Sequence, residues 1–386
     1  MRIVVVCDVL GEENNGTTIA AMNLIRYLKS QGHEVRVLCA DQDKVGREGY
    51  YVVPKLNLGP INSYVAKAGV TLAKGDAKII KQALIGADHV HIMMPFPLGS
   101  KSAKIAKKMG LPITAGFHMQ AENFTAYYKM NDVKLMNHIV YRYIWRSLYR
   151  YVDAIHYPTE FVKGVFEGQV KKNTRGYVIS NGVNEYVKPK DVCRPEEFKG
   201  KTVILSTGRY SREKSQDTLI KAIALSSYRY EIQLILAGHG TKERYYKKLA
   251  RKLPIEPIFK FYGREEIVDV LNYSDLYVHP AETELEGIAC IEAIAVGKMT
   301  VVSDSPRAAT SGFAIDEKCI FKNRNPKDLS RVIDYWIEHE SERAEYERRY
   351  LESSKHFEQS ACMAEMEKMI FEVYNEKTQT KADNIL

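Results

Sequence analysis

The chain has 386 residues, more than one ordinary core accommodates and about right for two domains. Hydrophobic residues make up 45% and charged residues 27%, a globular balance that excludes a disordered chain, and no run approaches the roughly 18 apolar residues of a membrane-spanning helix. Six cysteines, at 7, 39, 193, 290, 319 and 362, form no CxxC pair and no metal-ligand spacing, so they read as reduced core thiols of a cytoplasmic protein. The net charge of +8 is concentrated: Ile61 to Arg150 holds 13 Lys or Arg against 4 Asp or Glu, a local balance of +9. Such a stretch fits an anionic membrane surface, nucleic acid, or plain solvated helix faces.

The chain opens on MRIVVVCDV, an apolar run of strand length, which reads as a first strand and not as a targeting segment. The loop GEENNGTT and a helix carrying Ile19, Met22, Leu24, Ile25 and Leu28 follow, then EVRVLCA, HVHIMM and LPITAGF. Apolar β-branched runs alternating with amphipathic helices are the pattern of βαβ units and a parallel sheet. The pattern restarts at TVILSTG (Thr202 to Gly208) and continues through a helix from Gln216 to Ser226, QLILAG, FKFYG, DLYVHP and MTVVSDS, which predicts a second parallel sheet. Asn184 to Lys201 lacks apolar period and reads as the linker between domains 1–183 and 198–354. From Pro326 to Tyr374 the pattern is helical, with Met363, Met366, Ile370 and Val373 on one side of a helix about 355–376 that crosses back to the first domain. The last dozen residues, NEKTQTKADNIL, are expected to fray.

Ligands of open parallel sheets sit beyond the carboxyl ends of the strands, so the residues just after each apolar run carry the chemistry. Asn15 and Gly16 form a small turn at a helix N-terminus, where free amides suit an anion and where conformational need alone also favours these residues. In TGRYSREKSQDTL, Arg209 and Lys214 place two cations after a strand and before a helix, a pair able to neutralise a diphosphate. Glu284 and Glu292 have seven residues between them, one in a turn and the other ahead of an apolar helix, and such carboxylates accept hydrogen bonds from vicinal hydroxyls. His118 follows the strand LPITAGF, with Gln120, Glu122 and Asn123 close behind. His91 and His279 read as core histidines.

These pieces together resemble the retaining glycosyltransferases of family 4, over nearly the whole chain. The carriers are NNG at Asn14 to Gly16, FHMQ around His118, TEFVKGVF, VISNGV, GRYSREK, LILAGHG, FYGR and the Glu284 to Glu292 segment. The resemblance implies an α/β fold of the GT-B type, two facing Rossmann-like domains with a cleft between them, and a hexosyltransferase that uses a nucleotide-sugar as co-substrate with no cofactor and no metal. It implies that Arg209 and Lys214 bind the diphosphate, Glu292 the ribose and Glu284 the sugar hydroxyls. Leu285, Glu286, Gly287 and Ile288 would offer backbone amides, Tyr262, Gly263 and Arg264 would contact the base, Gly16 the phosphate, and His118 the sugar. Two departures stand out: Asn15 and Gly16 replace the paired glycines of the first loop, and Leu285 and Glu286 replace a Gly-Phe pair, setting an extra carboxylate beside the hexose pocket.

For the acceptor, a wheel of Val65 to Leu84 puts Lys67, Lys74, Lys78 and Lys81 within about 60° of one another, opposite Leu72, Ile79 and Ala83. Lys101, Lys104, Lys107 and Lys108 follow on the next helix, and MNHIVYRYIWRSLYRYV interleaves Tyr141, Tyr143, Trp145, Tyr149 and Tyr151 with Arg142, Arg146 and Arg150. Cations beside aromatics suit a membrane interface. The chain is similar to the bacterial branch that makes glycolipids, implying UDP-glucose as donor, a lipid such as diacylglycerol as acceptor, and peripheral attachment to the inner face of the cell membrane. Transfer to a soluble sugar or polysaccharide precursor is the alternative. Nucleic-acid binding finds no recognition motif.

Overall fold

The computed structural model describes residues 1–8, 10, 16–57, 59, 72–122 and 133–383. They form two compact units, one of Met1–Asn181 with Ser360–Leu386 and the other of Gly182–Gln359.

In the first unit, strands β1 (Arg2–Val6), β2 (Glu34–Cys39), β3 (Tyr50–Val52), β4 (His89–Ile92), β5 (Ile113–Gly116), β6 (Ala154–Tyr157) and β7 (Gly176–Val178) make one sheet of order β3-β2-β1-β4-β5-β6-β7. Every pairing is parallel. Residues 3–6 of β1 are fully buried because helices cover both faces of such a sheet, which is why the strand reads as an unbroken apolar run. In the second unit, β8 (Thr202–Thr207), β9 (Ile232–Ala237), β10 (Ile258–Lys260), β11 (Leu276–His279), β12 (Thr300–Ser303) and β13 (Ile320–Phe321) repeat the plan in the order β10-β9-β8-β11-β12-β13. Each sheet reverses its winding beside its first strand, between β1 and β4 and between β8 and β11.

Several expectations are corrected. Of the predicted helix Val65 to Leu84, residues 65–71 lie outside the described residues, 72–76 are not helical, and the helix runs Ala77–Leu84, capped by Asp76, which accepts from the amides of Lys78 and Ile79. Lys74 lies before it, in an extended stretch where its amide donates to Pro54 and Ala73 pairs with Lys55. Of the lysine stripe, Lys78 and Lys81 stand on the helix Ala77–Leu84, both exposed, and Lys74 does not; Lys67, like Asn15 and Asn123, lies outside the described residues. Asn184 to Lys201 is no free linker: Val187 and Phe198 enter the second core, and Arg194 binds Asp275 at 2.7 Å. The tail expected to fray is helical as far as Asp383, in the helix Gln359–Asp383, with Glu376 paired with Arg175 and Lys377 2.6 Å from Asp153; residues 384–386 lie outside the described residues. Tyr141 and Tyr149 are core residues packed around Phe117 and Phe166. Cys193 is exposed, unlike the other five cysteines. No helix among the described residues is long and apolar enough to cross a membrane.

The first core encloses imidazoles. His89 Nε2 and His91 Nδ1 both bond the Thr114 hydroxyl, at 2.8 and 2.9 Å, and His156 Nε2 donates to the Ile179 carbonyl at 2.7 Å. Burial disfavours the charged ring, pushing His89 and His118 down to about 3, His156 to about 4, and His91 well below its ordinary value, the last helped by its neighbouring histidines. Below pH 6.5 the unfolded chain therefore takes up protons that the folded chain refuses, and stability falls with pH at about 1.4 kcal/mol per unit for each ring. Asp8 runs the other way, because burial raises its carboxyl to about 7, so its folded form gains a proton that the unfolded form does not hold. Four rings against one carboxyl leave a net loss on the order of 3 kcal/mol between pH 7.5 and 5.5. We expect the urea midpoint of the first unit's transition to drop accordingly; equal midpoints at the two pH values would show that these rings titrate normally.

Candidate active site

The second unit gathers the predicted cations and carboxylates at its switch point, beyond the carboxyl ends of β8 and β11. The loop leaving β8 packs tightly on the loop leaving β9. A Cβ on Gly238 would stand 2.1 Å from the Gly208 carbonyl oxygen, and one on Gly240 2.5 Å from that of Tyr210. Buried Tyr210 anchors the turn by donating to the Leu236 carbonyl at 2.5 Å. Lys214 follows, and Ser215, with φ of 51°, turns the chain into the helix Gln216–Leu225.

Lys214 Nζ is bonded to the Glu284 carboxylate, whose Oε2 also lies 3.1 Å from His279 Nε2. His279 Nδ1 is 3.1 Å from the Tyr277 hydroxyl, itself 2.9 Å from the Thr207 hydroxyl. Burial tends to raise the Glu284 carboxyl, but the Lys214 charge and the His279 hydrogen bond outweigh it and hold the group at about 2. Burial also lowers His279, whose ring is neutral. An ionised carboxylate only accepts, so Nε2 carries the proton and donates to Glu284, Nδ1 accepts from Tyr277, and Thr207 donates to Tyr277. Every proton in the chain from β8 to Lys214 is thereby directed.

Glu292 lies within the helix Ile288–Ala295 instead of preceding it. Its half-buried carboxyl is pushed up to about 7 by desolvation, against the pull of Arg264. Gly287 opens this helix with φ of 89°, and a Cβ there would meet Thr310 Cγ2 at 2.5 Å, so no other residue fits. Leu285 and Ile288 are half-buried beside it, and the Glu286 carboxylate is buried. Gly263 caps the helix Arg264–Tyr273, and Lys260 Nζ sits 4.6 Å above the half-buried Tyr262 ring. Arg209 is exposed, its guanidinium 3.6 Å from Glu213. In the first unit Gly16 is the first residue of the helix Gly16–Ser30. His118 is buried beyond β5 against Gly116, where a Cβ would be 2.4 Å from its Nε2. Its ring meets that of His156 edge to face at 5.4 Å.

Sequence reasoning had placed Lys214 and Glu284 on different ligand groups without seeing that they pair. His279 is the core histidine that the sequence suggests, but its bond to Glu284 is not legible there, and Glu282 carries no signal in the sequence. Sequence reasoning also missed the exposed Phe261 ring, which T-stacks on His239 at 5.1 Å. Among the described residues no three of His, Cys, Asp or Glu are placed to hold a metal ion.

Two parallel Rossmann-like sheets in one chain, with a cation and carboxylate set at the switch point of the second, are the GT-B architecture of nucleotide-sugar glycosyltransferases. The model of Glycosyltransferase Family 4 matches residues 14–186 and that of Glycosyl transferases group 1 matches 187–352. The chain belongs to glycosyltransferase family 4 and is a hexosyltransferase. It is 23% identical to the α-monoglucosyldiacylglycerol synthase of Streptococcus pneumoniae, over 79% of this chain and 72% of that protein. To the GDP-mannose-dependent α-mannosyltransferase of Corynebacterium glutamicum it is 23% identical, over 80% and 73%. Among solved structures, Anabaena HepE in complex with UDP and glucose superposes with a TM-score of 0.69 at 14% identity, over 96% of this chain and 100% of that one, a likeness of fold.

Removing Lys214 alone strands an ionised, half-buried Glu284. We expect Lys214→Met to destabilise the second unit by on the order of 3 kcal/mol, and the further change Glu284→Gln to recover most of it. Urea unfolding measures both; a double variant no more stable than the single one would mean that the pair is not coupled.

Proposed function

We propose that this chain is a retaining glucosyltransferase that moves glucose from UDP-glucose to a membrane lipid such as a diacylglycerol, without a metal. In this reading the bond from the sugar C1 to the diphosphate breaks, the acceptor oxygen takes its place on the same face, and Arg209 and Lys214 neutralise the leaving diphosphate. Glu284 takes the hexose hydroxyls and Glu292 the ribose. The donor assignment draws support from the Streptococcus synthase and from the UDP and glucose with which HepE is solved.

The observation that carries the lipid acceptor is one helix face. On the helix Lys134–Ser147, Leu135, Ile139 and Tyr143 recur every four residues and expose 67%, 50% and 66% of their surface, while Asn137, Tyr141 and Ile144 face the core. Exposed Arg142, Arg146 and Lys134 border this stripe. Further cations stand on the helices Ala77–Leu84 and Pro97–Lys108, with Lys78, Lys81, Lys101, Lys104, Lys107 and Lys108 all exposed. A cation near an anionic surface contributes about 1 kcal/mol and a buried apolar side chain about 1.5–3 kcal/mol, so the two kinds of contact are of similar weight and attachment uses both.

Two outcomes test this function. Lys214→Ala and Glu292→Ala should each cut turnover of UDP-glucose at least tenfold, and EDTA should leave wild-type turnover in place; inhibition by EDTA that magnesium reverses would count against the metal-free reading. In flotation, vesicles containing phosphatidylglycerol should carry the protein at 0.1 M salt and release most of it at 1 M, as the screening length shrinks from ~10 to ~3 Å. Leu135→Gln with Ile139→Gln should weaken that binding at least tenfold while nucleotide release without acceptor is unchanged. A protein that ignores both anionic and neutral vesicles would overturn the membrane reading and favour a soluble sugar as the acceptor.

A further inference from the structure

Glu282 is a buried carboxylate to which three other strand-end loops of the second unit are tied. Ser215 Oγ donates to its Oε1 at 2.9 Å, Arg324 Nε donates to Oε1 at 2.5 Å and Nη2 to Oε2, and Arg307 Nη2 donates to Oε2 at 3.3 Å. Its own amide donates to the Glu213 carbonyl at 2.8 Å, and Ser305 Oγ donates to its carbonyl at 2.6 Å. The partners come from the loops that leave β8, β12 and β13, while Glu282 itself stands in the loop that leaves β11.

The backbone points to the same carboxylate. Among the described residues only Lys171, Ser215 and Arg324 hold a positive φ without being glycine, and two of these three, at 51° and 56°, are bonded to Glu282. A left-handed turn is unfavourable for a residue with a Cβ and persists where surrounding contacts over-determine it. Lys214 immediately precedes one of these turns, and Glu284 lies two residues beyond Glu282.

We propose that Glu282 is the positioning residue of the donor site: its carboxylate locks the Lys214 loop to the Glu284 loop and holds Arg307 and Arg324 behind them. It touches no substrate and acts through Lys214 and Glu284. A displacement of about 1 Å at a reacting group costs on the order of 100-fold in rate, so loosening this tie reaches the chemistry even though the sheet below stays intact. The inference rests on the reading of Lys214 and Glu284 as donor-binding groups.

The test is UDP binding by calorimetry and steady-state turnover of UDP-glucose on the full chain, at a temperature where circular dichroism shows each variant folded. Glu282→Gln keeps an acceptor for Ser215 but loses the charge, and should raise the Kd for UDP about fivefold and lower kcat/KM at least tenfold; Glu282→Ala should do more of both. Arg324→Ala should give a similar loss, and combining it with Glu282→Ala should add little, since both cut one tie. Should Glu282→Ala fail to fold, Ser215→Ala removes a single bond to the carboxylate and should still weaken UDP binding measurably. A purely structural role predicts a lower melting temperature with Kd and kcat/KM unmoved in the folded Gln and Ser215 variants, and that result overturns the proposal. Lys214→Ala in the same assay separates the two readings. If it leaves UDP binding untouched, the donor assignment falls; if it weakens binding while the Glu282 variants do not, only the role of Glu282 falls.

Discussion

In a parallel sheet every strand points the same way, so every loop that follows a strand emerges at one edge. That constraint organises both units. The central strands of each sheet are buried on both sides and offer mainly hydrophobic and uncharged polar side chains to the helices that cover them, which leaves the loops at the carboxyl edge as the place for charge. In the second unit, four of those loops bring in Lys214, Glu282 and Glu284, Arg307 and Arg324, from positions 110 residues apart in the chain at the extremes. No segment of the sequence contains the site; the direction of the strands assembles it.

Charge in such a place is stable only when paired. Glu284 stays ionised because an ammonium and an imidazole N–H both face it, whereas burial pushes Glu292 up to about 7 against the pull of Arg264, so that it carries a proton about half the time at pH 7. Two carboxylates eight positions apart in the chain thus have opposite electrostatic character. An acceptor-only carboxylate suits sugar hydroxyls that donate to it, while a carboxyl that can carry a proton can both donate and accept.

The sheets are legible in the sequence wherever a strand carries a run of β-branched or other apolar residues: β1, β2, β4, β5, β8, β9, β11 and β12 all sit on the runs read as strands. β10 overlaps the run FKFYG, while β3, β7 and β13 are too short to show a period, and the buried β6, AIHY, is short and interrupted by a histidine. Lys74 and Gly75 misled for a different reason, since a lysine at helical spacing says nothing about whether Asp76 starts the helix behind it. Tyr141 and Tyr143 illustrate the limit most directly. Two residues apart with the same side chain, one is wholly buried and the other two-thirds exposed, and composition alone could not divide them. The motifs identified Lys214 and Glu284, but their pairing, the His279 bond and the role of Glu282 are contacts between loops, which no local pattern records.

The course of the chain has one more consequence. The helix Gln359–Asp383 returns to the first unit and buries Met363, Met366, Met369, Ile370 and Val373, so the second unit is an insertion within the first. Its entry and exit lie side by side: Val183 pairs with Glu358, and Gly182 passes so near Gln359 that a Cβ would stand 2.7 Å from its Cα. A ribosome therefore releases the whole second unit before the first can close its core, and the apolar surface beside β1 and β2 waits uncovered through nearly two hundred residues of synthesis. The first half of this protein to be made is the last to be finished.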